Sequence, residues 1–291
     1  MIANGEASMW RFAAIGTQWE IETARPLTRD ERSAISDLIA EFDLTWSRFR
    51  ADSAVTLLAD GGGVIPLPAD ADDMLTVYRE LTAATAGAVN PLVGHSLAQR
   101  GYDARMSLVD SGPAPAPEVW EDILAWNETH LRVSEPGAMI DIGALGKGRL
   151  VDLVFAHVVA RVDGPVIVDA SGDLAVQGTP VRVGLEHPFD SRRVVGVYEL
   201  HDEALCASAT NRRSWGDGLH HVLDARTGIP VRTIAATWAV HPDAMHADAA
   251  ATALFFDGGP ELAAAWGVDW VRMTTDGRVE WSPGGRAEIF R

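Results

Sequence analysis

Val166-Ile167-Val168-Asp169-Ala170-Ser171-Gly172-Asp173-Leu174-Ala175-Val176-Gln177 sets two short apolar runs on either side of an Asp, Ser and Gly turn. Branched residues in short runs bounded by turn formers read as successive strands. Further strands follow with no helix between them, at Val181 to Leu185, Val194 to Leu200 and Leu219 to Leu223. A doubly wound sheet alternates strand with helix, so this succession points instead to an α+β fold of mainly antiparallel strands with packed helices. Just upstream, helical spacing runs from Gly146 to about Arg161, with Leu150, Leu153, Val154 and Val158 as the buried stripe. Downstream come a strand at Ile234 to Val240, helices at Ala244 to Phe256 and Pro260 to Trp266, and closing strands at Trp270 to Met273 and Val279 to Trp281. At the other end, Trp10 to Thr23 alternates as a strand around Gly16-Thr17, and Thr28 to Trp46 and Ala69 to Thr85 show helical spacing. The breakers between Ala86 and Arg105 read as a loop, Ala207 to Thr210 as a turn or ligand-lining loop, and Ser111 to Pro117 as a surface loop within a single domain spanning 1–291.

Composition limits the partners. The chain has 291 residues, 47% of them hydrophobic, enough for a substantial core. Its 24 Lys and Arg against 41 Asp and Glu give a net charge of -17 without a basic run, which argues against nucleic acid and anionic membrane. In that field a phosphate-bearing ligand needs local positive charge, and a divalent metal is one way to supply it. Cys206, the single cysteine, excludes an intrachain disulfide and a cysteine-based zinc cluster. Met1 to Glu6 lacks the charged and apolar regions of a leader, and no later run has the apolar length of a membrane span, so the expected location is cytoplasmic, with no membrane anchor.

Three segments carry candidate chemistry. Ile140-Asp141-Ile142-Gly143-Ala144-Leu145-Gly146-Lys147-Gly148 places a carboxylate, glycines and a lysine at a helix start. Glycines let backbone N–H groups approach an anion, and the helix start and Lys147 add positive charge. A plain strand-to-helix turn with a solvated lysine is the simpler alternative. On the alanine-rich helix, Asp248 and Thr252 are four apart and share a face, a pairing suited to a hard cation; the alternative is that Asp248 caps the helix and Thr252 bonds back to a carbonyl. His220-His221 precedes Asp224-Ala225-Arg226-Thr227-Gly228. Strand neighbours face opposite ways, so at most one of these histidines enters a given pocket, where it could act as a base. The Asp-to-Gly stretch also reads as an ordinary hairpin turn. The ten tryptophans, Trp19, Trp46, Trp126 and Trp215 among them, read as core.

In order along the chain, these segments resemble the ApbE family of FAD:protein FMN transferases. Gly16-Thr17, Ser47 to Ser53, Val89 to Gly94, Asp141 to Gly148, Ser171-Gly172-Asp173, His221 to Gly228 and Asp248 to Ala253 each correspond to a family motif. The resemblance implies a T-fold-like core with one FAD site. It also implies a Mg²⁺ site, or Mn²⁺ in its place, made by the Ala144 carbonyl, the Asp248 carboxylate and the Thr252 hydroxyl. Asp141, Lys147, His221 and the Ala88-Val89-Asn90 loop would contact FAD, with Ile15 near the flavin. The implied reaction moves FMN from FAD onto a threonine hydroxyl of an acceptor flavoprotein and releases AMP, with His221 accepting the hydroxyl proton and Lys147 neutralising the pyrophosphate. Water in place of threonine would make the chain an FAD pyrophosphatase, and a non-catalytic flavin-binding protein is a third reading. Ile15 stands where the family has methionine, Asn90 where it has aspartate, and Ser171 and Ala209 where it has glycine.

Overall fold

Eight strands pair in the order in which they occur along the chain in the computed structural model, which describes residues 8–290. They are β1 (Ser8–Ala14), β2 (Thr17–Thr23), β3 (Val166–Asp169), β4 (Asp173–Gln177), β5 (Ala204–Ala209), β6 (Ile234–His241), β7 (Asp269–Thr274) and β8 (Val279–Trp281), and every neighbouring pair is antiparallel. The helices are α1 (Arg29–Trp46), α2 (Ala54–Gly61), α3 (Ala71–Ala84), α4 (Gly94–Gln99), α5 (Gly146–Val159), α6 (Ala244–Ala253) and α7 (Gly259–Ala265). Met1 to Glu6, the stretch that lacks leader features, lie outside the described residues. Among the described residues no helix is long and apolar enough to cross a membrane.

Local chemistry explains the boundaries. Thr28 starts α1 with a reciprocal cap: its hydroxyl accepts the Glu31 N–H at 3.2 Å, and the Glu31 carboxylate accepts the Thr28 N–H at 2.8 Å. Ile35, Ile39, Phe42 and Trp46 then recur at three- and four-residue steps and are buried. The strand period of two sorts the sheet's faces. From β4 and β5, Ala175, Ala204 and Cys206 join the helical core with Leu150, Val154, Ala244 and Ala247. Leu174, Val176 and Leu205 point the other way, with Trp238 and Val240 of β6, onto Leu185, Tyr198 and Leu200 of a small sheet built from Val181–Glu186, Val194–Leu200 and Glu288–Ile289. Trp19, Trp46 and Trp215 are buried and Trp126 is half-buried.

Three local readings are corrected. The stretch 86–105 is not all loop, since Gly94–Gln99 forms one short helix whose first residue packs against Met139. Ala207-Ser208-Ala209 is not a turn, though it does line a cavity; it belongs to a central strand, β5, whose helix-facing Ala204 and Cys206 are small because α6 lies directly on them: the Cys206 thiol donates to the Ala244 carbonyl at 3.3 Å. The proposed strand Leu219 to Leu223 breaks into Leu219–His220 and Leu223–Asp224, with His221 in a bend between them.

Close approach of α5 to α6 depends on one residue. A Cβ on Gly148 would stand 2.2 Å from the Ala244 carbonyl oxygen and 2.7 Å from the Asp248 Cβ. Gly148→Ala is therefore expected to cost about 3 kcal/mol or more in urea unfolding, since backbone cannot yield as a side chain can. A loss below about 1 kcal/mol would show that the two helices separate easily.

Candidate active site

Two turns at one end of the sheet open the site. Ile15, between β1 and β2, has φ +45°, and Ser171, between β3 and β4, has φ +58°, both left-handed. Such a φ is an outlier for a β-branched residue and holds only when its surroundings enforce it. The Ser171 hydroxyl ties the turns together by donating to the Gln18 carbonyl at 2.8 Å. Behind them lies a cavity of about 1200 Å³. Its lining includes Ile15, Ala88, Val89, Asn90, Asp141, Ala144, Lys147, His221, Asp248 and Thr252, so every site residue expected from the sequence meets in one place.

Asp141 organises the wall. Its carboxylate accepts the Gly143 N–H at 2.7 Å and pairs with the Arg48 guanidinium, while its backbone carbonyl accepts the Tyr78 hydroxyl at 2.8 Å. Its backbone N–H donates to the Pro91 carbonyl at 2.8 Å, which docks the loop carrying Asn90. The amide of Asn90 is engaged at both ends: Nδ2 donates to the Pro117 carbonyl and Oδ1 accepts the Leu92 N–H, both at 2.8 Å. Arg48 donates from a second nitrogen to the Tyr102 carbonyl at 2.7 Å, and its Nη2 is buried without a partner.

The floor is a buried charge cluster. Lys147 Nζ lies 3.1 Å from Oδ2 of Asp173, a fully buried residue, and 3.4 Å from the Ala170 carbonyl. Although Asp173 Oδ2 forms this ion pair, it receives no directed hydrogen bond. Asp248 is buried in the interior of α6, and its Oδ2 accepts the Gly148 N–H at 2.9 Å. The cap of α6 is Asp243, which rules out the capping alternative for Asp248. Thr252 does not bond back within its helix; its hydroxyl donates across to the Ala144 carbonyl at 3.2 Å. Burial, reinforced by Asp173, drives the Asp248 carboxyl well above its usual range. Burial alone would lower Lys147, but Asp173 and Asp248 outweigh it and leave the ammonium raised. The Asp248 carboxyl, with the Thr252 and Ala144 oxygens, makes a set of hard donors fit for a cation such as Mg²⁺, and a cation there would favour the ionised carboxylate.

The two histidines face different ways although the bend at His221 breaks the strand. His220 faces inward, with Nε2 2.8 Å from the Val231 carbonyl and Nδ1 accepting the Val222 N–H. His221 lines the cavity with its Nδ1 unpartnered; burial, with Arg213 next in effect, pushes its pKa down to about 3. An unfolded histidine takes a proton at about 6.5, so between about pH 6.5 and about 3 the unfolded chain binds more protons and stability is lost as pH is lowered. His221→Gln is expected to flatten that acid decline, as read from urea unfolding at about pH 7 and about pH 5. An unchanged slope would place the sensitivity elsewhere. Asp224 to Gly228 is a hairpin turn, with Asp224 accepting the Thr227 and Gly228 N–H groups through its carbonyl.

Sequence reasoning gave no role to Arg48, Arg213, Tyr78 or Asp173. Arg48, Arg50, Lys147, Arg212 and Arg213 all border the cavity, so the local positive charge that the composition hides is assembled by folding. The nearest signal was Ser47-Arg48-Phe49-Arg50, whose alternating arginines on a loop have no evident structural task.

The ApbE family model matches residues 15–269. A Rhodobacter capsulatus protein named FAD:protein FMN transferase is 30% identical over 304 residues, covering 96% of this chain and 57% of that protein. A Treponema pallidum (strain Nichols) protein of the same name is 26% identical over 288 residues, covering 85% of this chain and 78% of its own length. The chain thus spans little more than half the length of the Rhodobacter relative. Among solved structures, the flavin transferase ApbE from Vibrio cholerae superposes with a TM-score of 0.79 at 20% identity, covering 95% of this chain and 97% of that one. The ApbE protein from Thermotoga maritima gives 0.81 at 21%, covering 96% and 98%. At those identities the structural likeness speaks for the fold, and the extent of the family match decides membership: the chain belongs to the ApbE family.

Proposed function

We propose that this chain transfers the FMN part of FAD to a threonine hydroxyl of an acceptor flavoprotein, releasing AMP, with Mg²⁺ as cofactor. The observation that carries this reading is the meeting of Asp173 and Asp248 around Lys147, beside the Thr252 and Ala144 oxygens, at the base of a cavity bordered by arginines. The volume of about 1200 Å³ exceeds the roughly 300–1,000 Å³ of ordinary small-ligand cavities and suits a dinucleotide. The names of the relatives supply the flavin and the transfer.

Asp248, Thr252 and the Ala144 carbonyl would hold the cation, which supplies charge neutralisation to the pyrophosphate when bound. Lys147 is a donor for the phosphate oxygens, and Arg48 adds positive charge behind the cavity wall. Asp141 positions Arg48 and the 143–147 backbone, and the internally bonded Asn90 sets the path of the Ala88-Val89 wall. His221, neutral at physiological pH, accepts the hydroxyl proton as the threonine oxygen bonds to the FMN phosphorus. The bond from that phosphorus to the bridging oxygen breaks, and AMP leaves with the electron pair. Proximity to the phosphate anions works against Arg213 and makes His221 a stronger base than it is in the free chain.

Chromatography of FAD and Mg²⁺ incubated with the protein, with and without an FMN-binding acceptor domain, tests the reading. AMP release that depends on the acceptor is expected. Equal AMP and free FMN in both samples would make water the nucleophile, and FAD returned intact from both would leave a binding protein.

A further inference from the structure

At the junction of β6 and α6, outside the cavity lining, three metal-ligating side chains converge: His241 ends the strand, Asp243 caps the helix and His246 stands in its first turn. One ligand atom from each lies within 4.8 Å of the others, and all three residues are half-buried. His241 Nδ1 is 2.9 Å from the Asp243 carboxylate and His246 Nδ1 is 2.8 Å from it. The Asp243 backbone N–H also approaches His241 Nδ1, at 3.3 Å. Both imidazoles thus turn a ring nitrogen toward one carboxylate.

We propose that His241, Asp243 and His246 form a second cation site, for one divalent ion of the zinc class, separate from the catalytic cavity. Two imidazoles and one carboxylate with room for water are a donor set for Zn²⁺ or Co²⁺, whereas Mg²⁺ favours oxygen alone. Zinc–nitrogen bonds of about 2.0–2.1 Å put tetrahedral ligand atoms roughly 3.3 Å apart, so each imidazole need retreat only a few tenths of an ångström. The positive pole of α6 would oppose a cation, but carboxylates already occupy its first amides. Asp152 accepts the Ala244 and Met245 N–H groups at 2.7 and 2.9 Å, and Asp243 accepts that of His246 at 2.9 Å. Trp266 meets the His246 ring edge-on at 5.2 Å, which limits its rotation. An ion here would pin the end of β6 to the start of α6, two residues before Asp248.

The test is Co²⁺ titration of chelator-treated full chain in excess Mg²⁺, followed by the visible band of four-coordinate cobalt. One Co²⁺ per chain, displaced by Zn²⁺, is expected for wild type and for Asp248→Asn. Loss of a ligand's hydrogen-bond partner alone costs about tenfold in affinity, so His241→Asn and His246→Asn should each weaken binding by more than that. The proposal is overturned by absence of a saturable band in wild type, by a band that survives both histidine substitutions, or by one lost in Asp248→Asn, which would place the ion in the cavity.

Discussion

Asp248→Asn is expected to lower FAD-dependent AMP release by about a hundredfold to a thousandfold, the usual effect of removing one electrostatic group from a reacting centre. The chain should nevertheless melt no lower than wild type without metal. Asn can still accept the Gly148 N–H that Asp248 now accepts at 2.9 Å, and it removes a buried charge. The sign follows from linkage. A carboxyl raised by burial and Asp173 favours folding below its unfolded pKa, and that contribution is lost as pH rises through the folded value. Above its unfolded pKa, Asp248 thus costs stability until a cation arrives. Mg²⁺ at a hundredfold excess over its Kd should stabilise wild type by about 2.7 kcal/mol, several degrees in Tm, and leave Asp248→Asn unmoved. Equal Mg²⁺ shifts in both proteins, or undiminished AMP release, would remove Asp248 from the metal site.

Lys147→Met is expected to cost about 3–5 kcal/mol in urea unfolding as well as the activity, because it strands Asp173 and Asp248 in the interior without their shared ammonium. Adding Asp173→Asn to Lys147→Met should restore part of the loss, and the shortfall from additivity measures the coupling. A single-mutant change below about 1 kcal/mol would mean that solvent, not Asp173, satisfies the lysine.

What the sequence made legible follows from distance along the chain. Asp248 and Thr252 sit one helical turn apart, so their common face was readable from spacing; their partners Gly148 and Ala144, about a hundred residues away, came with the family resemblance or only with folding. Asp173 looked like part of a turn, because its burial comes from α5 and α6 closing over β4. Arg48 meets Asp141 across a separation of 93 residues, which no local pattern encodes. β5 was missed because Ala204 to Ala209 lacks the branched residues that mark a strand; packing of α6 against it selects small ones instead. By contrast α1, with its cap at Thr28 and regular apolar stripe, was readable from local chemistry alone.

Intact-mass measurement of an acceptor flavoprotein after incubation with this chain, FAD and Mg²⁺ addresses flavin transfer most directly. Transfer predicts an acceptor heavier by one phosphodiester-linked FMN, with one AMP released for each adduct, and no gain when Asp248→Asn replaces wild type. An unmodified acceptor beside free FMN and AMP, or a mass gain that Asp248→Asn retains, would contradict it.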